Sequence, residues 1–197
     1  TAHQRIIFNG NGYDDAWVRE AERRGLANLR DTVDCMPAYI DRKNIDLFTK
    51  HAILTEAEMR ARYEIHLENY CKVTAIEAST LRDMVLRGIL PAVNRYTADL
   101  TQAILHKREL VVPCRVEEDL LQKLSALTGS LYDTMAAINE AMDKAPDAEG
   151  GIDAARYYRE EIVRRMEEAR QSIDQLESLT AAKYWPYPTY ADILFSV

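Results

Sequence analysis

The apolar residues of this chain recur in steps of three and four across two long windows. One stripe runs Leu120, Leu124, Leu127, Leu131, Met135, Ile138, Met142, and the other runs Tyr158, Ile162, Met166, Ala169, Ile173, Leu176. That spacing puts each set on one face of an α-helix and does not match the two-residue period of a strand. Gly occurs 7 times and Pro 6 times in 197 residues, and they cluster, which leaves the windows free to be helical. Residues 145–151 hold Pro146, Gly150 and Gly151 and read as a hairpin loop. The predicted helices, about 116–144 and about 153–179, should therefore pack antiparallel, with Asp153 capping the second. Glu160–Arg164, Glu161–Arg165 and Arg170–Asp174 are spaced as i,i+4 ion pairs and mark its solvated face.

A third long pattern begins at Thr55, which with Glu58 forms a T-x-x-E capping box. The predicted stripe is Met59, Tyr63, Leu67, Tyr70, Val73 and Ile76, continuing through Leu81, Met84, Leu90, Val93 and Leu100. Gly88 and Pro91 interrupt it, and Pro91 predicts a kink or break because it lacks an N–H and crowds the preceding turn. Residues 109–115, around Pro113, are a predicted loop. Upstream, Arg5 to Phe8 reads as a short extended piece followed by an Asn/Gly turn. Asp14 should then cap a helix to about Arg24, which Gly25 stops. Asp31 or Thr32 caps a short helix in which Pro37 is tolerable within the first turns, and a further helix spans about 42–51. The expected organisation is residues 1–54 as a linker-like segment with short helices, residues 55–183 as a long-helix bundle, and residues 184–197 as a terminal strap. The fold class is all-α: a helical bundle with long antiparallel helices, a short extended N-terminal segment and an aromatic, Pro-rich tail.

Several motifs invite a chemical reading and then fail it. Gly10-Asn11-Gly12 precedes a helix as a dinucleotide loop does, but Asp14 and Asp15 stand where pyrophosphate would rest. A turn with a helix cap is the expectation. A di-iron bundle needs Glu-x-x-His motifs from two helices; the residues three before His51, His66 and His106 are Phe48, Tyr63 and Ala103. Glu64, Glu68 and Glu77 near His66 read as charges on a wet helix face. Asp34 beside Cys35, and Ser130 near Tyr132, lack a nucleophile–base–orienter grouping. No catalytic, cofactor-binding or metal-binding residue is therefore expected in this chain.

The tail is different. Tyr184, Trp185, Tyr187 and Tyr190 fall within seven residues, with Pro186 and Pro188 between them. Each Pro biases its predecessor toward extended backbone, so a non-helical strap is expected. Aromatic rings bury large areas and are favoured interface anchors. Trp185, Tyr187, Tyr190 and Phe195 are the candidate structural or interface residues, with Trp185 and Tyr187 expected to be substantially buried.

With 25 Lys and Arg against 32 Asp and Glu, the net charge is −7, which disfavours a nucleic-acid partner. No apolar run approaches the roughly 20 residues of a bilayer span, and no signal peptide is evident. Cys35, Cys71 and Cys114 are odd in number and widely spaced, so mostly buried free thiols in a reducing cytoplasm are expected.

Arg5-Ile6-Ile7-Phe8-Asn9-Gly10-Asn11-Gly12-Tyr13 and the terminal stretch from Trp185 to Phe195 together resemble the C-terminal portion of type III glutamine synthetase. Leu26 to Asp34, Arg62 to Tyr70 and Ile89 to Val93 are similar to the same family, and the tail is the most specific element. The resemblance implies a parent enzyme that ligates ammonia to glutamate with ATP and Mg²⁺ or Mn²⁺, as a cytoplasmic double-ringed homo-oligomer. The family's metal, nucleotide and glutamate contacts belong to the preceding catalytic domain and find no positions here. The expected role is thus non-catalytic, in subunit architecture, assembly or regulation, with the catalytic domain and neighbouring subunits as partners. A start at Thr1 fits an excised piece. A free-standing helical scaffold or protein-interaction module is the alternative reading, and an unrecognised bundle enzyme is a third.

Overall fold

The computed structural model describes residues 7–195, apart from the side chains of Tyr190 and Ala191. Arg5 and Ile6 of the first signature lie outside them. The described residues are helical and contain no strand. The chain divides into two compact units, Thr1–Leu67 and Glu68–Val197, and the division falls inside a helix.

In the first unit, α1 (Asp15–Arg23) is capped by Asp14, whose side chain accepts from the Ala16 N–H at 3.0 Å. Asp31 caps α2 (Thr32–Tyr39) by accepting from the Asp34 N–H at 2.8 Å. Pro37 is the sixth residue of α2, past the first turn, and the helix ends two residues later. The missing N–H of Pro37 removes the helical bond to the Val33 carbonyl, which weakens the turn before it. Asp41 caps α3 (Arg42–Lys50), which packs on α2. The Thr55–Glu58 box forms as expected: the Glu58 carboxylate accepts from the Thr55 N–H at 2.8 Å, and Thr55 Oγ1 accepts from the Glu58 N–H at 3.2 Å. It opens α4 (Glu56–Met84). Ala21, Val33, Met36, Ile45, Met59 and Leu67 are the unit's buried apolar residues.

Along the rest of α4 the buried face is Cys71, Thr74 and Ala78. The predicted stripe is displaced by one or two residues there: Val73 is exposed, and Ile76 is 66% exposed. The buried face of this stretch is lined by small residues, which carry less hydrophobic signal than Val73 and Ile76. The helical path continues through a π turn (Val85–Ile89) into α5 (Leu90–Glu109), with Pro91 in its first turn. The expected kink or break is thus a widening. A π turn moves the preceding carbonyls away from the proline ring and uses i→i+5 bonds, such as Leu90 N–H to Val85 O.

After a short loop, α6 (Arg115–Asp143) returns along α5. The second hairpin leads to α7 (Gly151–Tyr157), a second π turn (Tyr158–Val163) and α8 (Arg164–Leu179), which packs along α6 as the stripes predict. Leu124, Leu131, Met135 and Ile138 are buried on α6, and Tyr158, Ile162, Ala169, Ile173 and Leu176 on its partner. Asp153 is not the cap. A 3₁₀ turn at residues 148–150 brings α7 in two residues early, and Asp153 instead pairs with Arg156 at 3.0 Å. Arg165 and Arg170 form the predicted pairs with Glu161 and Asp174, both at 2.6 Å. Glu160, inside the π turn, reaches Arg159 instead, while Arg164 pairs with Glu168. Cys71 and Cys114 are buried thiols, whereas Cys35 is exposed.

Three helices end in the same Schellman motif. After α1, Gly25 and Leu26 donate to Glu22 O and Ala21 O; after α3, Ala52 and Ile53 donate to Thr49 O and Phe48 O; after α5, Val111 and Val112 donate to Arg108 O and Lys107 O. The left-handed residue is Gly25 (φ +68°), Ala52 (φ +52°) and Val111 (φ +55°) respectively.

Candidate interaction site

Both signature peptides are elements that dock loose backbone onto helices. In the first unit, the Gly10–Gly12 turn is closed by Asn11: its side chain accepts from the Tyr13 N–H at 3.0 Å and its carbonyl from the Asp14 N–H at 3.3 Å. The Phe8 ring folds back over Gly10, where a Cβ would stand 2.6 Å from it, and meets Trp17 of α1 with centroids 4.7 Å apart. Arg24 donates to Ile7 O at 2.5 Å and lies 6.0 Å from the Phe8 centroid. Glu20 in turn accepts from Arg23 and Arg24, and those two guanidiniums hold its carboxyl down at about 2. The glycine turn therefore carries an aromatic clasp, with Asp14 occupied as a helix cap.

In the second unit, the strap begins as α8 ends at Leu179 and runs back over α5 and the first π turn. Tyr184 donates to the Asp99 carboxylate, and its ring lies 5.2 Å from that of Tyr96. Lys183 sits 4.6 Å above the Tyr184 ring, and its pKa is raised first by its hydrogen bond with Tyr184. Tyr187 donates to Met84 O at 3.2 Å, with its hydroxyl over Gly88. A Cβ at Gly88 would stand 2.4 Å from that oxygen, so a side chain there would push the hydroxyl end of the ring aside. Thr189 and Asp192 form a small capping box around α9 (Tyr190–Leu194). The N–H and hydroxyl of Thr189 hold the Asp192 carboxyl below its ordinary value.

Trp185, Tyr187, Pro188 and Ile193 line one side of a cleft of about 390 Å³, and Leu81, Met84, Ile89, Ile173 and the Arg170–Asp174 pair lie along the rest. Trp185 and Tyr187 are half-buried, short of the substantial burial expected. The Trp185 Nε1–H is nonetheless enclosed without an acceptor. Tyr190 begins α9, and its side chain lies outside the described residues. Phe195 is 77% exposed and joins neither Trp185 nor Tyr187. The sequence marks Gly88 only as an interruption of the helical stripe, not as the place where Tyr187 lies, and it does not mark Asp99 at all. Among the described residues no group of three or more His, Cys, Asp or Glu side chains could hold a metal ion, and no helix is long and apolar enough to cross a membrane.

These features define a class: a helical-bundle domain with an aromatic tail strapped across its own helices. The chain belongs to the glutamine synthetase C-terminal domain family, whose profile matches residues 1–108. It is 39% identical over 198 residues to a glutamine synthetase of Butyrivibrio fibrisolvens, covering 100% of this chain and 28% of that protein. It is 30% identical over 203 residues to a type-3 glutamine synthetase of Dictyostelium discoideum, covering 98% of this chain and 27% of that protein. A glutamine synthetase of Bacteroides fragilis is 27% identical over 201 residues, covering 99% of this chain and 28% of its own length. The chain thus spans somewhat more than a quarter of the relatives it matches.

Proposed function

We propose that this chain is a non-catalytic, architectural domain of a longer type III glutamine synthetase, and that its strap supports subunit assembly. The longer enzyme would join ammonia to glutamate in the cytoplasm, using ATP and Mg²⁺ or Mn²⁺ held by its catalytic part. The observation that carries the reading is the strap itself. Tyr184 and Tyr187 bind it to the bundle, yet Ile193, Leu194 and Phe195 at its end remain exposed. An exposed apolar segment at residues 193–195, beside an indole N–H with no acceptor, is suited to a contact that another segment completes.

The test compares the longer enzyme with and without residues 184–197. Sedimentation velocity should show a smaller assembly after deletion. An unchanged assembly would rule out the architectural role of the strap. The isolated chain, given ATP, glutamate, ammonia and Mg²⁺ or Mn²⁺, should release no ammonia-dependent phosphate. Turnover abolished by a substitution within this chain would overturn its non-catalytic assignment.

A further inference from the structure

α4 and α6 flank a second cleft, of about 460 Å³, that shares no lining residue with the one beneath the strap. Its volume lies in the roughly 300–1,000 Å³ range of small-molecule sites. Ala78 and Ile138 are its buried apolar lining, with Met142 half-buried beside them. Ser79, Arg82, Asn139 and Asp143 supply its polar groups, and the fold makes little use of them. Arg82 donates only to Asn139 Oδ1 at 3.3 Å and to the Asp83 carboxylate at 3.5 Å. Arg60, Arg108, Arg165 and Arg170 each hold a carboxylate within 2.8 Å. A guanidinium carries five N–H donors, so Arg82 keeps most of its capacity for another acceptor. Among the described residues, Asp143 has no ion pair and the Ser79 hydroxyl no hydrogen bond. Arg82 and Asp143 thus line one cleft with opposite charges and do not pair with each other.

We infer that this cleft binds a small zwitterion, a polar α-amino acid, with its carboxylate on Arg82 and its ammonium on Asp143. A cation and an anion held apart across one cleft match a molecule that carries both charges itself. Arg82 offers the planar donor fork that suits a carboxylate. The Ser79 hydroxyl and the Asn139 amide N–H, whose oxygen is already taken by Arg82, face the same space for a polar side group. The pair also selects against half-matches: a simple anion would meet Asp143, and a simple organic cation would meet Arg82. The strap and its part in assembly play no role here, so the two readings can fail separately.

The experiment is methyl NMR of the 197-residue chain, labelled at its methionine methyls and titrated with L-serine, L-asparagine and L-glutamine. The Met142 resonance should move saturably with at least one of them, while Met36 and Met59, buried in the first unit, stay still. Propionate and propylamine each carry one of the two charges and should bind about tenfold or more weakly than that amino acid. Arg82→Gln and Asp143→Asn should each weaken binding by about tenfold or more, the scale of one charge-assisted hydrogen bond. Asp143→Asn should leave the melting temperature where it is, because it removes no ion pair and lies in the last turn of α6, where a negative charge is not favoured. No saturable movement of Met142 with any of the three, up to tens of millimolar, would overturn the proposal. So would propionate or propylamine binding as well as the amino acid, or an Asp143→Asn chain that binds like the parent.

Discussion

Glu20 shows how one side chain ties a signature peptide to a helix. Hydrogen bonds from Arg23 first, and then Arg24, hold its pKa at about 2 against an ordinary 4.5. A depressed carboxyl contributes stability that is fully present above 4.5 and is lost as pH falls toward about 2. The Arg24 hold on Ile7 O should therefore loosen across that window and no higher. An NMR titration of Glu20 should give a midpoint near 2, and Arg23→Gln should raise it; an unshifted midpoint in the variant would exclude this cause. Gly88 and Tyr187 make a second residue-scale case. Gly88→Ala gains helix propensity of about 0.5–1 kcal/mol but drives a Cβ into the Tyr187 hydroxyl. It should detach the strap, seen as a red shift of Trp185 emission in a Trp17→Phe background. In Tyr187→Phe the hydroxyl is gone, so the same substitution should cost less. Strictly additive effects of the two changes would show that they do not meet.

At the scale of elements, the α6–α8 pair carries the largest buried side chains of the second unit, and its seam was readable from the stripes. Leu131 on α6 and Leu176 on α8 are wholly buried, so truncating either to Ala should destabilise by about 2–5 kcal/mol. Glu161→Ala, which removes a surface pair with Arg165, should cost about 0.5 kcal/mol or less. Urea unfolding of the three variants checks this, and similar losses for all three would place the seam elsewhere. The α4 seam was harder to read, because Cys71, Thr74 and Ala78 are small and carry little hydrophobic signal beside Val73 and Ile76. Both π turns were illegible as well. One extra residue in a helical turn leaves composition unchanged, and only the register of the buried residues on either side reveals it.

At the scale of the molecule, the strap is the long-range element of the second unit. Its hydrogen bonds join residues 85 and 103 positions apart in the chain, Tyr184 to Asp99 and Tyr187 to Met84. Deleting residues 184–197 removes these and uncovers the wall formed by Leu81, Met84, Ile89 and Ile173. The truncated chain should melt several degrees lower, since a loss of about 1 kcal/mol moves the midpoint of a domain this size by roughly 2–4 °C. An unchanged melting curve would mean that the strap adds nothing to the fold of the isolated chain.

By itself the sequence determined the helices, the cap at Asp14 and the box at Thr55, a cap at Asp31 or Thr32, the antiparallel pairing of α6 with α8, and the family. These rest on local propensity, short-range hydrogen bonds and a repeating pattern, all carried by neighbours in the chain. Only the tertiary structure decided which face of α4 is buried, how Pro91 is accommodated, and where the aromatic tail lands. Those outcomes depend on partners far away in sequence. Gly88 is an unremarkable helix glycine until Tyr187 is laid across it, and Asp99 is a surface carboxylate until Tyr184 reaches it.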